Sequence, residues 1–216
     1  MQEPIKALIF DVDQTLLDTR DFIMHAFRHA FTMYGLPDEP EAYYPLMGKP
    51  LEEIYRIMAP ESDTVRLCAA HTKFQVENLH LAKPFPEVQE TLTQLRTQRI
   101  KMAVVSSRGG STVSKTLELA GIATYFDVVI DGSSVTNLKP DPEGILKAIA
   151  RLDAKAHETV MVGDTDIDVL AGQNALVRTV VVSYGARGEK VRGYNADFVI
   201  DHFSELAPIV LSTHAL

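Results

Sequence analysis

The stretch LIFDVDQTLLDT, residues 8–19, decides how this chain is read. An apolar run, Leu8-Ile9-Phe10, stops at two aspartates, Asp11 and Asp13, with Val12 between them. A short apolar run bounded by polar residues reads as a buried strand. Like charges at its end need a reason, because neighbouring carboxylates repel and lose hydration on burial. Gln14 raises a second question, since so tight a turn favours glycine.

Further along the chain, similar runs recur at 102–105, 128–130, 160–162, 180–182 and 198–200. Helical patterns follow most of them, at 112–121, 142–152, 166–175 and 203–211. Strand-helix alternation of this kind predicts an α/β fold, a doubly wound and mostly parallel sheet covered on both faces. The alternation breaks after the first strand. Residues 20–82 carry almost no β signal and read as helices at 19–34, 50–59 and 62–81, divided by the turn-rich GLPDEPEAYYP and MAPESD. KPFPEV, 83–88, reads as the return linker, because two prolines in four residues discourage a helix. The expected division is therefore a core of 1–18 and 84–216 around an all-helical insert, 19–83.

The chain has 216 residues, 46% of them hydrophobic, enough for one substantial core. With 21 basic and 29 acidic residues its formal net charge is −8, which argues against nucleic-acid and anionic-membrane partners. A phosphate site in such a chain has to be locally positive or hold a metal. The single cysteine, Cys68, excludes an intramolecular disulfide and reads as packing on a helix face. No stretch approaches membrane-spanning length and the N-terminus has no secretory pattern, so the cytoplasm is the expected location. Monomer and homodimer are both compatible with the sequence.

Ligands of an open parallel sheet bind beyond the carboxyl ends of its strands. Here those ends carry Asp11 and Asp13, then Ser106 and Ser107, then Asp164 and Asp168. Lys139 stands in KPDPEG, where Asp141 reads as a helix N-cap and Pro142 as the first helical residue. A carboxylate can attack phosphorus and form an acyl phosphate that water then hydrolyses. Clustered carboxylates accept a hard cation such as Mg²⁺. Asp164 and Asp168, four apart, are expected to share a helix face and point at one ion. Ser106 and Lys139 can hold phosphoryl oxygens, and Asp13 can exchange a proton with the leaving oxygen. Asp11 and Asp13 can thus end one strand together because a cation and a lysine share their pocket.

In this order the motifs resemble those of the haloacid dehalogenase-like (HAD) superfamily. DVDQT resembles its first motif, VVSS the second, LKPDP the third and VGDTDID the fourth. The resemblance implies a Rossmann-like core with a helical cap, as in the phosphoglycolate phosphatase and β-phosphoglucomutase branch. It implies Asp11 as nucleophile and Asp13 as general acid/base. It also implies Mg²⁺ on Asp11, the Asp13 carbonyl and Asp164, with Asp168 in support. Members that break carbon–halogen bonds lack an acid at the second aspartate, so Asp13 implies an oxygen leaving group.

Thr15, Ser107 and Arg108 are expected to touch substrate, a small phosphorylated metabolite, and Lys49 and Arg20 to read its far end. Lys49 does not sit where imine-forming phosphonate hydrolases carry their lysine. His25, His29, Phe27 and Phe31 are expected to pack between helices. VTNLKPDPE and MVGDTDIDVLAGQNA also resemble the pyrophosphatases of this branch, so pyrophosphate stays among the candidate substrates. A phosphomutase and a non-catalytic phosphometabolite-binding protein are the other readings. Gln14 departs from the glycine usual in the first motif.

Overall fold

The computed structural model describes residues 4–47, 49–109, 112–185 and 187–211. The strands are β1 (Ala7–Phe10), β2 (Leu17–Asp18), β3 (Lys83–Pro84), β4 (Lys101–Val105), β5 (Val128–Ile130), β6 (Thr159–Gly163), β7 (Arg178–Val182) and β8 (Phe198–Ile200). Six of them form one sheet in the order β5-β4-β1-β6-β7-β8, with every neighbouring pair parallel. Central strands of such a sheet are buried on both sides, which is why they read as continuous apolar runs.

The helices are α1 (Arg20–Met33), α2 (Pro40–Tyr43), α3 (Leu51–Met58), α4 (Thr64–Glu77), α5 (Val88–Thr97), α6 (Thr112–Leu119), α7 (Glu143–Leu152), α8 (Asp166–Asn174) and α9 (Leu206–Leu211). Side chains alternate across each strand and so feed two cores. Leu8, Phe10, Met102, Val104, Val160 and Val162 join one core with Leu92 and Leu95 of α5 and Val210 of α9. Ala7, Ile9, Ala103, Val105 and Met161 join the other with Ile145, Ala148 and Leu152 of α7. The sheet is doubly wound, as expected.

The chain leaves and re-enters this core through a short antiparallel ribbon, β2 against β3, pairing Leu17 with Pro84 and Asp18 with Lys83. Between these strands, α1–α4 bury an apolar cluster of their own, with Phe27, Phe31, Tyr43, Ile54, Tyr55 and Leu67 at its centre. Phe27 and Phe31 pack as expected, and the His29 ring lies 5.2 Å from that of Phe74. His25 does not; it is exposed. Cys68 packs against this cluster, and burial raises its thiol pKa.

Four features depart from the expected pattern, the first being α2, a single helical turn inside the stretch GLPDEPEAYYP expected to be turn. The segment expected as a plain return linker, 83–88, contributes β3 to the ribbon, whose strands are too short to show a period. A helix absent from the expected set, α5, follows that linker. The expected helix over 62–81 ends as α4 at Glu77, and Leu79–Leu81 continues as a 3₁₀ turn.

Candidate active site

Four segments meet above the carboxyl ends of β1, β4 and β6. At the end of β1 the Asp11 N–H bonds to the Val162 carbonyl at 2.9 Å, and its side chain is buried. The chain then doubles back, with the Gln14 N–H bonded to the Leu17 carbonyl at 2.8 Å. Gln14 takes a φ of +62° there, the left-handed region that glycine enters freely. Its amide leans on Asp18 Oδ1 at 3.3 Å. The turn has the shape glycine favours, built with a residue that bears the strain.

At the end of β4, the Ser106 N–H bonds to the Ile130 carbonyl at 3.0 Å, and the Ser106 hydroxyl accepts from the Arg108 N–H at 3.2 Å. At the end of β6, Asp164 precedes α8 rather than lying on it; the helix begins at Asp166. The expectation that Asp164 and Asp168 share a helix face is therefore corrected. Asp164 sits in the strand exit, while Asp168 belongs to the first turn. Asp168 Oδ2 accepts from the Thr165 N–H at 3.1 Å and the Thr165 hydroxyl at 2.6 Å. Strand exit and helix start still face one point: single carboxylate oxygens of Asp11, Asp164 and Asp168 all lie within 4.8 Å of one another.

Two glycines make that convergence possible. A Cβ on Gly163 would stand 2.3 Å from Asp168 Cβ. One on Gly185 would stand 2.5 Å from Asp164 Cβ and 2.6 Å from the Gln14 carbonyl oxygen. The sequence carries little signal for either role, because the clash involves residues brought together only by the fold.

Lys139 arrives from the loop before α7. In that loop Asp141 Oδ1 accepts from the Glu143 N–H at 2.9 Å, and the helix starts at Glu143, one residue later than expected. The Lys139 ammonium is buried and donates to Asp11 Oδ1 and Asp168 Oδ1, each at 2.6 Å. Burial alone would lower its pKa, but Asp11 and Asp168 outweigh that and hold it above the usual value. Burial pushes the Asp11 carboxyl up to about 7, only partly opposed by Lys139. Three acidic groups against one ammonium leave this pocket short of positive charge. An all-oxygen donor set with that deficit fits a hard divalent cation. Both oxygens of Asp168 are engaged, one by Lys139 and the other by Thr165.

These residues line a cavity of about 210 Å³ between the sheet and the helical insert. Asp13, Gln14, Ser106, Ser107, Arg108, Lys139, Asp164 and Asp168 line its sheet side, and Lys49 its insert side. Several polar atoms here are buried without a hydrogen-bond partner among the described residues: Asp13 Oδ1, Ser107 Oγ and all three Arg108 guanidinium nitrogens. Arg108 Nε lies 3.5 Å from Asp13 Oδ2, close enough for an ion pair but without a hydrogen bond's geometry. A buried guanidinium left this way is costly, and a bound anion would satisfy it.

Thr15 and Arg20 are placed elsewhere. Thr15 is fully buried behind the cavity, where its carbonyl accepts from the Tyr184 hydroxyl at 2.9 Å. Arg20 is exposed and lies 5.0 Å over the Tyr44 ring. Lys49 reaches the cavity but is already paired with Glu53. Its neighbour Gly48, part of the same expected substrate loop, lies outside the described residues. Sequence reasoning missed the insert's own polar contribution, His71, Thr72 and Gln75 of α4. Their spacing resembles any half-buried helix face, so only the fold could expose it. It also missed Arg187, whose guanidinium donates to the Met47 carbonyl at 2.9 Å and ties the segment after β7 to the insert.

Comparison with known proteins gives a consistent picture. Residues 8–182 match the family model for haloacid dehalogenase-like hydrolases. Pyrophosphatase PpaX of Halalkalibacterium halodurans is 35% identical over 95% of this chain and 97% of its own. PpaX of Bacillus mycoides is 34% identical over 95% and 97%. Among solved structures, a predicted phosphoglycolate phosphatase of Haemophilus somnus superposes with a TM-score of 0.87 at 22% identity, covering 97% of this chain and 99% of that one. A haloacid dehalogenase-like family hydrolase of Streptococcus pneumoniae superposes with a TM-score of 0.84 at 19% identity, covering 98% and 99%. At such identities the two structures speak for the fold alone.

Proposed function

Because this chain belongs to the haloacid dehalogenase-like hydrolase family, we propose that it is a Mg²⁺-dependent phosphatase that hydrolyses a small phosphomonoester through an aspartyl-phosphate at Asp11. One observation carries this reading. A buried carboxylate, a buried ammonium, and donors of Ser107 and Arg108 without a hydrogen-bond partner among the described residues all line one cavity.

Asp11 attacks phosphorus, and the bond from phosphorus to the leaving oxygen breaks. Asp13, on the same turn, gives that oxygen its proton. It then takes a proton from the water that attacks the aspartyl-phosphate, which releases inorganic phosphate and frees Asp11. Lys139 faces the reacting carboxylate and offsets negative charge as it grows, while Ser106, Ser107 and Arg108 hold phosphoryl oxygens. Asp11, the Asp13 carbonyl and Asp164, with Asp168 in support, would hold Mg²⁺, which when bound would offset negative charge on the phosphoryl group. Residues 19–83 act as a cap that excludes water.

The test is Mg²⁺-dependent hydrolysis of p-nitrophenyl phosphate, with activity falling by about 10⁴-fold or more in Asp11→Asn. An Asp11→Asn variant as active as the parent would sink the mechanism. A second reading, pyrophosphate as substrate, is favoured by the PpaX relatives and by Arg108, which can meet a second phosphate. Phosphate release from pyrophosphate, measured beside organic esters, separates the two.

A further inference from the structure

The cavity has two unlike halves. The sheet side is charged. The insert side is an apolar wall, with Ile23, Phe27, Leu51 and Ile54, interrupted by the polar groups of α4.

Two of those groups are arranged for recognition. The Tyr55 hydroxyl lies 2.9 Å from His71 Nδ1, and both residues are buried. A buried phenol needs an acceptor for its hydrogen. Among the described residues Nδ1 is the one within reach, so the phenol donates to it and the ring's own proton sits on Nε2. The Phe27 ring stands edge-on to the imidazole with centroids 4.6 Å apart, which fixes the plane of the ring. No described residue bonds Nε2. Gln75 lies one turn further along α4 and lines the same cavity. It is only 8% exposed, and its amide has no described partner. Thus a neutral N–H donor and a primary amide stand side by side in an apolar wall, opposite the group that takes the phosphoryl.

We propose that His71 and Gln75 read the leaving group, and that the substrate is an organic phosphomonoester with a short carbon skeleton bearing a hydroxyl or carbonyl oxygen. The carbon skeleton covers the wall formed by Ile23, Phe27 and Ile54. The oxygen accepts from His71 Nε2–H and bonds the Gln75 amide. Pyrophosphate fits this half badly. Its distal phosphate would lose water against apolar side chains; among the described residues lining this half the cation is Lys49, already paired with Glu53, so only Arg108 could meet it, from the sheet side. This inference rests on the phosphatase reading above and narrows its substrate class.

The experiment measures released phosphate with Mg²⁺ on three kinds of substrate: polyol and sugar phosphates of three to six carbons, phenyl phosphate, and pyrophosphate. The parent is compared with Gln75→Met, which keeps length but loses the amide. It is also compared with His71→Asn, which keeps a partner for Tyr55 but removes the cavity-facing nitrogen. The expected result is a kcat/KM for the best polyol or sugar phosphate above that for pyrophosphate. Each variant should lower it by about tenfold, the worth of one good hydrogen bond, with phenyl phosphate changed by less than about threefold. Melting temperatures of both variants confirm folding. Pyrophosphate as the best substrate overturns the inference, as does an equal change on every substrate or none at all. A parent that releases phosphate from nothing defeats the phosphatase reading instead, so the two failures are distinguishable.

Discussion

His71 ties the stability of the protein to pH in a way that can be measured without any substrate. The ring is buried between Tyr55 and Phe27, and burial pushes its pKa from 6.5 down to about 3, with His29 nearby adding to the effect. A histidine whose folded pKa is depressed stays neutral in the folded protein while the unfolded chain takes up a proton. The unfolded state then binds more protons between the two pKa values, so stability rises with pH across that window and is lost as pH falls below 6.5. At pH 5 the solvent is about 1.5 units below the unfolded pKa, and at about 1.4 kcal/mol per unit the loss relative to pH 7.5 is about 2 kcal/mol.

Other groups titrate over the same range, so the useful quantity is a double difference. Urea denaturation of the parent and of His71→Gln, at pH 7.5 and pH 5, isolates the single ring, because glutamine keeps a partner for Tyr55 and does not titrate. The parent should lose about 2 kcal/mol more than the variant, or about 4–8 °C in melting temperature for a chain of this size. Parallel losses in the two proteins would falsify the claim that His71 is held neutral inside the fold.

Three further substitutions test the sheet side of the site. Lys139→Met should lower kcat on p-nitrophenyl phosphate by about 10²–10³-fold. Without divalent cation it should also destabilise the protein by about 3–5 kcal/mol, because it strands Asp11 and Asp168 in a buried pocket. Calorimetry with and without Mg²⁺ reads the second effect. Gly185→Ala puts a methyl 2.5 Å from Asp164 Cβ against a backbone wall at Gln14, so it should cost about 1–3 kcal/mol. Its apparent Mg²⁺ affinity, from the metal dependence of hydrolysis, should weaken as Asp164 is displaced. Gln14→Gly relieves a φ of +62° worth about 1–2 kcal/mol but restores unfolded-chain freedom worth about 0.5–1 kcal/mol. A net gain of up to about 1.5 kcal/mol in urea denaturation, with turnover retained, is expected.

The sheet was legible because its strands are short, apolar and buried on both faces, which leaves a signal that needs no partner to be recognised. The polar strand ends were legible for a related reason: Asp11, Ser106 and Asp164 are each the first polar side chain that the sheet presents beyond its core. What the sequence concealed depends on contacts between distant segments. The bearing of Asp168 on Asp164 was read as a helix repeat, yet it arises from a strand exit meeting a capped helix start, with Gly163 leaving room for the carboxylate. Thr15, expected to touch substrate, is fully buried and is not among the residues lining the cavity. The insert was hardest to read, since the residues of α4 that face the cavity follow the same spacing as those that face Phe27 and Tyr55. Whether a histidine on that helix packs or recognises is decided by what lies beyond its second nitrogen. At His71 one nitrogen is closed by a tyrosine while the residue also lines the cavity, so a single ring both packs the insert and borders the site.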